Sequence, residues 1–202
     1  MDTRKLAYDS KNPEVNESAF NNNADRKDLY GDVEEELPPK MPDPRGNVVR
    51  ISALVNDKHA GNIVTCWSHS GIIIFVQNAH IIWFSKRQKT VEAATFGSEF
   101  VELQICKELI VALLYKLRMF GVPLDGPADV FYDKSGLLMN ASKPESTLHK
   151  KNNEINYHVV CKAATAGILR VGKEDGETNL ADLLTKVLMV KRRWDLCHFL
   201  MW

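Results

Sequence analysis

The chain has 202 residues, 45% of them hydrophobic, with 26 basic and 26 acidic side chains. That suffices for one ordinary domain with a real core plus a tail, and the balanced total charge gives no sign of a nucleic-acid partner. The longest apolar runs, such as Ile72 to Val76, are far too short to span a membrane.

The balance hides an asymmetry. Residues 1–45 carry eleven acids against seven bases, a net of −4, so the remainder carries +4. This first segment is rich in Asn, Asp, Glu and Pro, including Glu34 to Glu36 and Pro38, Pro39, Pro42 and Pro44. Such a composition buries little and predicts a loosely ordered arm or connector over 1–45, with a folded domain over 46–202. Phe20, Leu29, Tyr30 and Leu37 are its candidate docking residues.

From Asn47 the texture changes. Val49, Ile51, Ala53 and Val55 alternate with Arg50, Ser52 and Leu54, which predicts a strand. Gly71 to Val76 is a second strand and Ile81 to Phe84 its return, with a three-to-four-residue hairpin loop between them. Phe96, Phe100, Leu103, Leu109, Ile110, Leu113, Leu114 and Leu117 recur at helical steps, predicting one long helix over 92–120 that Gly121 and Pro123 end. Ala128 to Tyr132 is a short strand, and Ser135 to Ala141 a short helix. Lys151 to Ala166 is another helix, and Ile168 to Val171 a fifth strand. A last helix is expected to run to about Leu200 with Asn179 as its N-cap. Three meandering strands followed by strands separated by helices imply an α/β domain with a mixed five-stranded sheet and helices on its faces.

The acids fall at informative places. Asp57 lies at the end of the first strand, Glu99 in the first turns of the long helix, Asp133 at the end of the fourth strand, and Asp182 near the start of the last helix. Strand ends and helix starts present side chains to a crevice. Four converging carboxylates form an oxygen-only cage suited to Mg²⁺, and two ions about 4 Å apart activate water against a phosphodiester.

Several strings carry a resemblance. Trp83-Phe84-Ser85-Lys86-Arg87-Gln88, then Thr90 to Thr95 and Ser98-Glu99-Phe100, resemble the pattern W-x-S-K-R-Q…S-x-x-E-A-E-Y. His59-Ala60-Gly61-Asn62, Ser68-His69-Ser70-Gly71, Asn156-Tyr157-His158 and Asn179-Leu180-Ala181-Asp182-Leu183-Leu184-Thr185-Lys186 resemble its companion strings in order. Together, over about residues 41–202, they resemble the ribonuclease H domain of a copia-type retrotransposon Pol polyprotein. Residues 29–45 resemble the connector that follows the reverse transcriptase there.

The resemblance implies a ribonuclease H-like fold with three antiparallel meander strands, then parallel strands. It also implies Mg²⁺ or Mn²⁺ as a two-ion cofactor, an RNA–DNA hybrid as substrate, and a reverse transcriptase upstream in a parent polyprotein. Its second, third and fourth acids fall on Glu99, Asp133 and Asp182. Its first falls on Asn56, three residues before His59, with Asp57 as the neighbouring alternative ligand. An asparagine offers a neutral carbonyl oxygen and an NH₂ that cannot ligate a cation. Lys58 adds a positive charge beside the site, and Lys134 replaces an Asn of the resembling string. Metal binding and cleavage are therefore expected to be weakened.

Lys86, Arg87 and Lys89 are the candidate phosphate contacts, with Lys150 and Lys151 or Lys191, Arg192 and Arg193 as further basic clusters. Among the histidines, His59 and His158 belong to the resembling strings and are expected to be structural. The four tryptophans are expected in the core or as anchors. Cys66, Cys106, Cys161 and Cys197 contain no C-x-x-C pair and read as reduced thiols, not a zinc site. With no apolar segment behind a basic N-terminus, the expectation is an intracellular protein.

Two functional classes remain open: a metal-dependent endoribonuclease, and a non-catalytic module that binds hybrid or is an inert relic. Asp→Asn at 56, Arg→Cys at 66 and 161, Arg→Trp at 67 and Glu→Lys at 162 each arise from one C-to-T or G-to-A change; the Asn→Lys change at 134 does not. A decaying element copy is expected to show codons one transition from the ancestral ones at the fitting positions. Sequencing the gene checks this, and a requirement for two or more changes at those positions removes the idea.

Overall fold

The protein is described by a computed structural model covering residues 17–20, 27–62, 64–92, 95–133 and 151–201. After a 3₁₀ turn at Glu17–Ala19 and a short α1 (Lys27–Tyr30) come β1 (Ile51–Lys58), β2 (His69–Val76), β3 (Ala79–Arg87) and α2 (Thr95–Met119). Then follow β4 (Ala128–Tyr132), α3 (Lys151–Thr165), β5 (Leu169–Lys173), α4 (Asp182–Thr185) and α5 (Val190–Met201). The sheet order is β3-β2-β1-β4-β5. β1, β2 and β3 pair antiparallel, while β4 runs parallel to both β1 and β5. This is the mixed α/β sheet anticipated from the order of elements.

β1 and β2 are buried on both faces, which is why Ile72-Ile73-Ile74 reads as a continuous apolar run and not as an alternation. Ile51, Ala53, Val55, Ile72 and Ile74 face α2 and α3, where Phe100, Leu103, Cys106, Ile110, Tyr157 and Val160 complete the main core. Leu54, Ile73 and Phe75 face the other way, against Leu180, Leu183 and Leu184 around α4 and Leu196 and Leu200 of α5. Helices therefore cover both faces. α2 stops where Gly121 takes a positive φ of 71° and Val122 N–H returns to the Leu117 carbonyl, as at a glycine-closed helix end.

Four details differ from the sequence expectation. β1 begins at Ile51, and Val49 makes an isolated bridge to Leu124. The β2–β3 hairpin closes with two residues, Gln77 and Asn78, because Gln77 adopts φ 57° and its amide donates to the Val48 carbonyl. Asn179 is not the cap of a long helix. Its side chain donates to the Val55 carbonyl at 2.9 Å and accepts from Ala181 N–H, pinning the loop to β1. The expected last helix is broken after one turn: Lys186 is extended, and Leu188 turns into the smaller core before α5 starts. The short helix expected at 135–141 lies outside the described residues.

The described parts of the acidic segment dock on the domain. Phe20 bridges to Gly172 and stacks on Phe131, and Arg170 joins Glu17 to Asp129 across it. The Tyr30 hydroxyl meets His158 Nδ1 at 2.6 Å, and Arg118 holds Glu35 through two bonds of 2.5 and 2.6 Å.

Gly71 allows α4 to approach the sheet closely. A Cβ there would lie 2.6 Å from Thr185 Cγ2, 2.9 Å from Leu184 Cβ and 3.0 Å from the Ala181 carbonyl. Gly71→Ala should therefore cost about 1–3 kcal/mol, the usual range for overpacking. Urea unfolding checks this, and an unchanged midpoint would contradict the packing described.

Candidate active site

The carboxyl end of β1 sends consecutive side chains to opposite faces, as a strand must. Asn56 is fully buried on the α4 side, where its Nδ2 donates to Thr185 Oγ1. Its Oδ1 is buried and, among the described residues, accepts no hydrogen bond. Asp57 lies on the α2 side. Tyr132 donates its hydroxyl to Asp57 Oδ1 at 2.6 Å, and Ser98 donates to Oδ2 at 2.6 Å. His59 Nδ1 sits 3.1 Å from the same Ser98 hydroxyl. His59 and His158 are thus tied into the fold, as expected of structural histidines.

Gln88, the last residue of the Ser-Lys-Arg-Gln string, explains part of the local order. Its buried amide reaches both Ser70 Oγ and the Ser98 carbonyl at 2.9 Å, fastening the end of β3 to the start of α2. Glu99 is buried on that first turn. One turn further, Glu102 is fully buried, and its Oε1 accepts the Gly71 N–H at 2.8 Å. The sequence reading missed Glu102. The signal was there: Glu102 lies three residues after Glu99 and four before Cys106, on the sheet-facing stripe of α2.

Burial pushes the Tyr132 phenol well above its ordinary value of 10.0, with Glu102, Asp57 and Glu99 adding negative field. Burial, with Glu102 beside it, likewise drives the Cys106 thiol far above its ordinary 9.0.

Asp133 and Asp182 come together around a cation supplied by the chain itself. Lys186 Nζ lies 2.6 Å from Asp182 Oδ1 and 4.0 Å from Asp133 Oδ2. Arg192 adds a second cation at 2.9 Å from Asp182 Oδ2 and also pairs with Glu177. Arg192 is therefore committed to acids of its own chain, and the phosphate role expected of the 191–193 cluster does not extend to it. Among the described residues, no three His, Cys, Asp or Glu side chains gather as a metal-binding group. Glu99, Asp133 and Asp182 are not assembled into one cage, and Asp57 has both oxygens hydrogen-bonded. An amide at 56 and an ammonium between the two aspartates do not fit a pair of divalent ions.

Lys86, Arg87 and Lys89 are exposed along the end of β3, and Arg87 lies over the Trp67 ring at 3.7 Å. None of the three described tryptophans, Trp67, Trp83 and Trp194, lies in the core, one of the two places expected for them. Trp83 and Trp194 are 67% and 70% exposed, and Trp67 is half-buried beneath Arg87. Trp83 pairs with Ile73 across the β2–β3 ladder, and Trp194 lies on α5. Cys106 and Cys161 are buried free thiols, and Cys66 is exposed. Among the described residues, no helix is long and apolar enough to cross a membrane.

The sheet order and the two helical layers define a ribonuclease H-like α/β domain. The chain is similar to the retrovirus-related Pol polyproteins from transposons RE2 and RE1 of Arabidopsis thaliana, at 26% identity over 144 residues. These matches cover 71% of this chain and 10% of each relative, so it spans a small part of the polyproteins it matches. A solved structure, the N-terminal RNase H domain of rv2228c from Mycobacterium tuberculosis fused to maltose binding protein, superposes with a TM-score of 0.49 at 14% identity. That likeness covers 74% of this chain and 97% of the other. No family model matches. The curated relatives agree with the resemblance to a retrotransposon Pol polyprotein read from the sequence strings.

The buried Tyr132 and Cys106 hold their protons more tightly folded than unfolded. Their contribution is fully present below about pH 9 and is lost as the pH rises through and beyond the unfolded values of 9.0 and 10.0. Tyr132→Phe should lower stability at neutral pH by about 1–3 kcal/mol, because Asp57 loses a buried donor. It should also flatten the alkaline fall. Urea unfolding across pH 7 to about 11 reads both effects, and an identical alkaline slope in wild type and variant would refute the assignment.

Proposed function

We propose that this chain is the ribonuclease H-like module of a copia-type Pol polyprotein, and that it engages RNA–DNA hybrids with an impaired ion centre. The observation that carries this is Asn56. Its amide NH₂ is turned to Thr185 and its buried Oδ1 accepts no hydrogen bond among the described residues, at the position where the resemblance puts the first metal-bridging carboxylate.

On this reading the module holds hybrid without cutting it efficiently. Its exposed cations, Lys86, Arg87 and Lys89, meet backbone phosphates. Recognition follows duplex shape and 2′-OH groups, with no preference for base sequence. The parent polyprotein supplies the reverse transcriptase. The non-catalytic reading is favoured over the inert one by Arg87, whose guanidinium is exposed and already ordered on Trp67.

The test is cleavage of the labelled RNA strand of a hybrid with Mg²⁺ or Mn²⁺. Asn56→Asp should cut at least about 100-fold faster than wild type, beyond the 10–100-fold effect typical of outer-shell partners. Mg²⁺ should raise the melting temperature of Asn56→Asp more than that of wild type. A wild type that cuts as fast as Asn56→Asp would overturn the impairment. If neither cuts but both bind hybrid, decay extends beyond position 56 and the binding module replaces the enzyme.

A further inference from the structure

A cavity of about 380 Å³ opens between the β1–β2 loop, the neighbouring ends of β2 and β3, and the turn of α4. Lys58, Trp67, His69, Arg87, Thr185 and Lys186 are among the residues that line it, and among the described residues no Asp or Glu does. This is more than a solvated basic rim, because its walls are fixed. The Asn62 side chain accepts the N–H groups of Val64 and Thr65, and Asn62 N–H bonds the Trp67 carbonyl, closing the loop that carries the indole. Trp67 in turn carries the Arg87 guanidinium at 3.7 Å. The Lys58 side chain lies over Gly61, where a Cβ would come within 2.9 Å of it. His69 Nε2 is 3.0 Å from Ser85 Oγ, which donates to the Leu184 carbonyl at 2.8 Å, tying β2 and β3 to α4.

We infer that this cavity seats a phosphate group of a nucleotide, most naturally one in the backbone of a nucleic-acid strand. The strand assignment rests on the hybrid-binding reading above; the anion chemistry does not. Among the described residues neither Lys58 nor Arg87 forms an ion pair with a carboxylate, so both charges are available to a ligand. A guanidinium stacked on an indole keeps its N–H edge free for a bidentate anion and loses little further freedom on binding. The concave site excludes part of the solvent and strengthens each contact. Trp67 stands where the resembling string has arginine, so the cation at this spot is presented by Arg87 from the next strand. Lys186 faces the cavity and also holds Asp182 at 2.6 Å, so a seated phosphate would adjoin the Asp133 and Asp182 pair.

The experiment uses the full chain and two probes. Pyrophosphate is titrated against intrinsic tryptophan emission in wild type, Trp67→Phe, Arg87→Gln and Lys58→Gln, with Lys162→Gln on α3 as a distant control and circular dichroism to check folding. A labelled RNA–DNA hybrid is then titrated by fluorescence anisotropy in EDTA over a range of salt. The expected result is a saturable emission change that Trp67→Phe abolishes, that Arg87→Gln weakens at least about tenfold, and that Lys162→Gln leaves alone. For hybrid, Arg87→Gln and Lys58→Gln should each lower the salt slope by about one. No saturable response to pyrophosphate, or one unaltered in Arg87→Gln and Lys58→Gln, overturns the cavity. Hybrid binding that both variants preserve overturns the assignment of the cavity to a strand phosphate, and leaves hybrid binding to Lys86 and Lys89. Pyrophosphate binding without hybrid binding supports the cavity as a site for a free nucleotide phosphate and removes the hybrid reading instead.

Discussion

The buried carboxylate of Asp57 needs two donors, and supplying them constrains the whole carboxyl end of the sheet. Tyr132 comes from β4 and Ser98 from α2, so the bond pair locks the parallel β1–β4 register and the seat of the long helix together. A buried charge left without one of these donors would cost several times what an ordinary hydrogen bond contributes. Once Asp57 is committed to the α2 face, strand alternation sends Asn56 to the α4 face. The candidate site inherits its shape from that choice.

What faces Asn56 is a short helix held very close. Gly71 permits the approach, Asn179 pins the preceding loop to β1, and Thr185 receives the Asn56 amide. The same turn carries Asp182 and Lys186 in an internal ion pair. The acids expected to collect divalent ions are therefore balanced by cations of the chain, Lys186 and Arg192, while Glu99 and Glu102 lie on the sheet-facing stripe of α2. The site has the outline of a carboxylate centre with its charge already compensated.

Positive charge instead becomes available a few residues away. Lys58 and Arg87 border a cavity that no acid lines among the described residues, next to the Asp133 and Asp182 pair. The proposed phosphate seat and the proposed weakening of the ion centre therefore fall on neighbouring residues at one end of the sheet. The balanced net charge comes from the first 45 residues, at −4, which offset +4 in the remainder.

The sequence by itself determined the order of elements and most of their bounds. It did so because alternation in β1, the apolar run of β2 and the 3–4 spacing of α2 are local signals of burial, and β4 was legible residue for residue. The ordered strings placed Asn56, Glu99, Asp133 and Asp182 at element ends. Tertiary structure decided what pattern could not encode. Asn179 looks like a helix cap in sequence, but its amide is worth more against the Val55 carbonyl, which only packing brings near. The break after Thr185 carries no Gly or Pro; the pull of the small core on Leu188 and the ion pairs of Asp182 impose it. Glu102, the Lys186 bridge and the stacking of Arg87 on Trp67 each join residues far apart in the chain or on opposite sides of a turn. Their energies depend on distance and burial in three dimensions, so no local spacing could have fixed them.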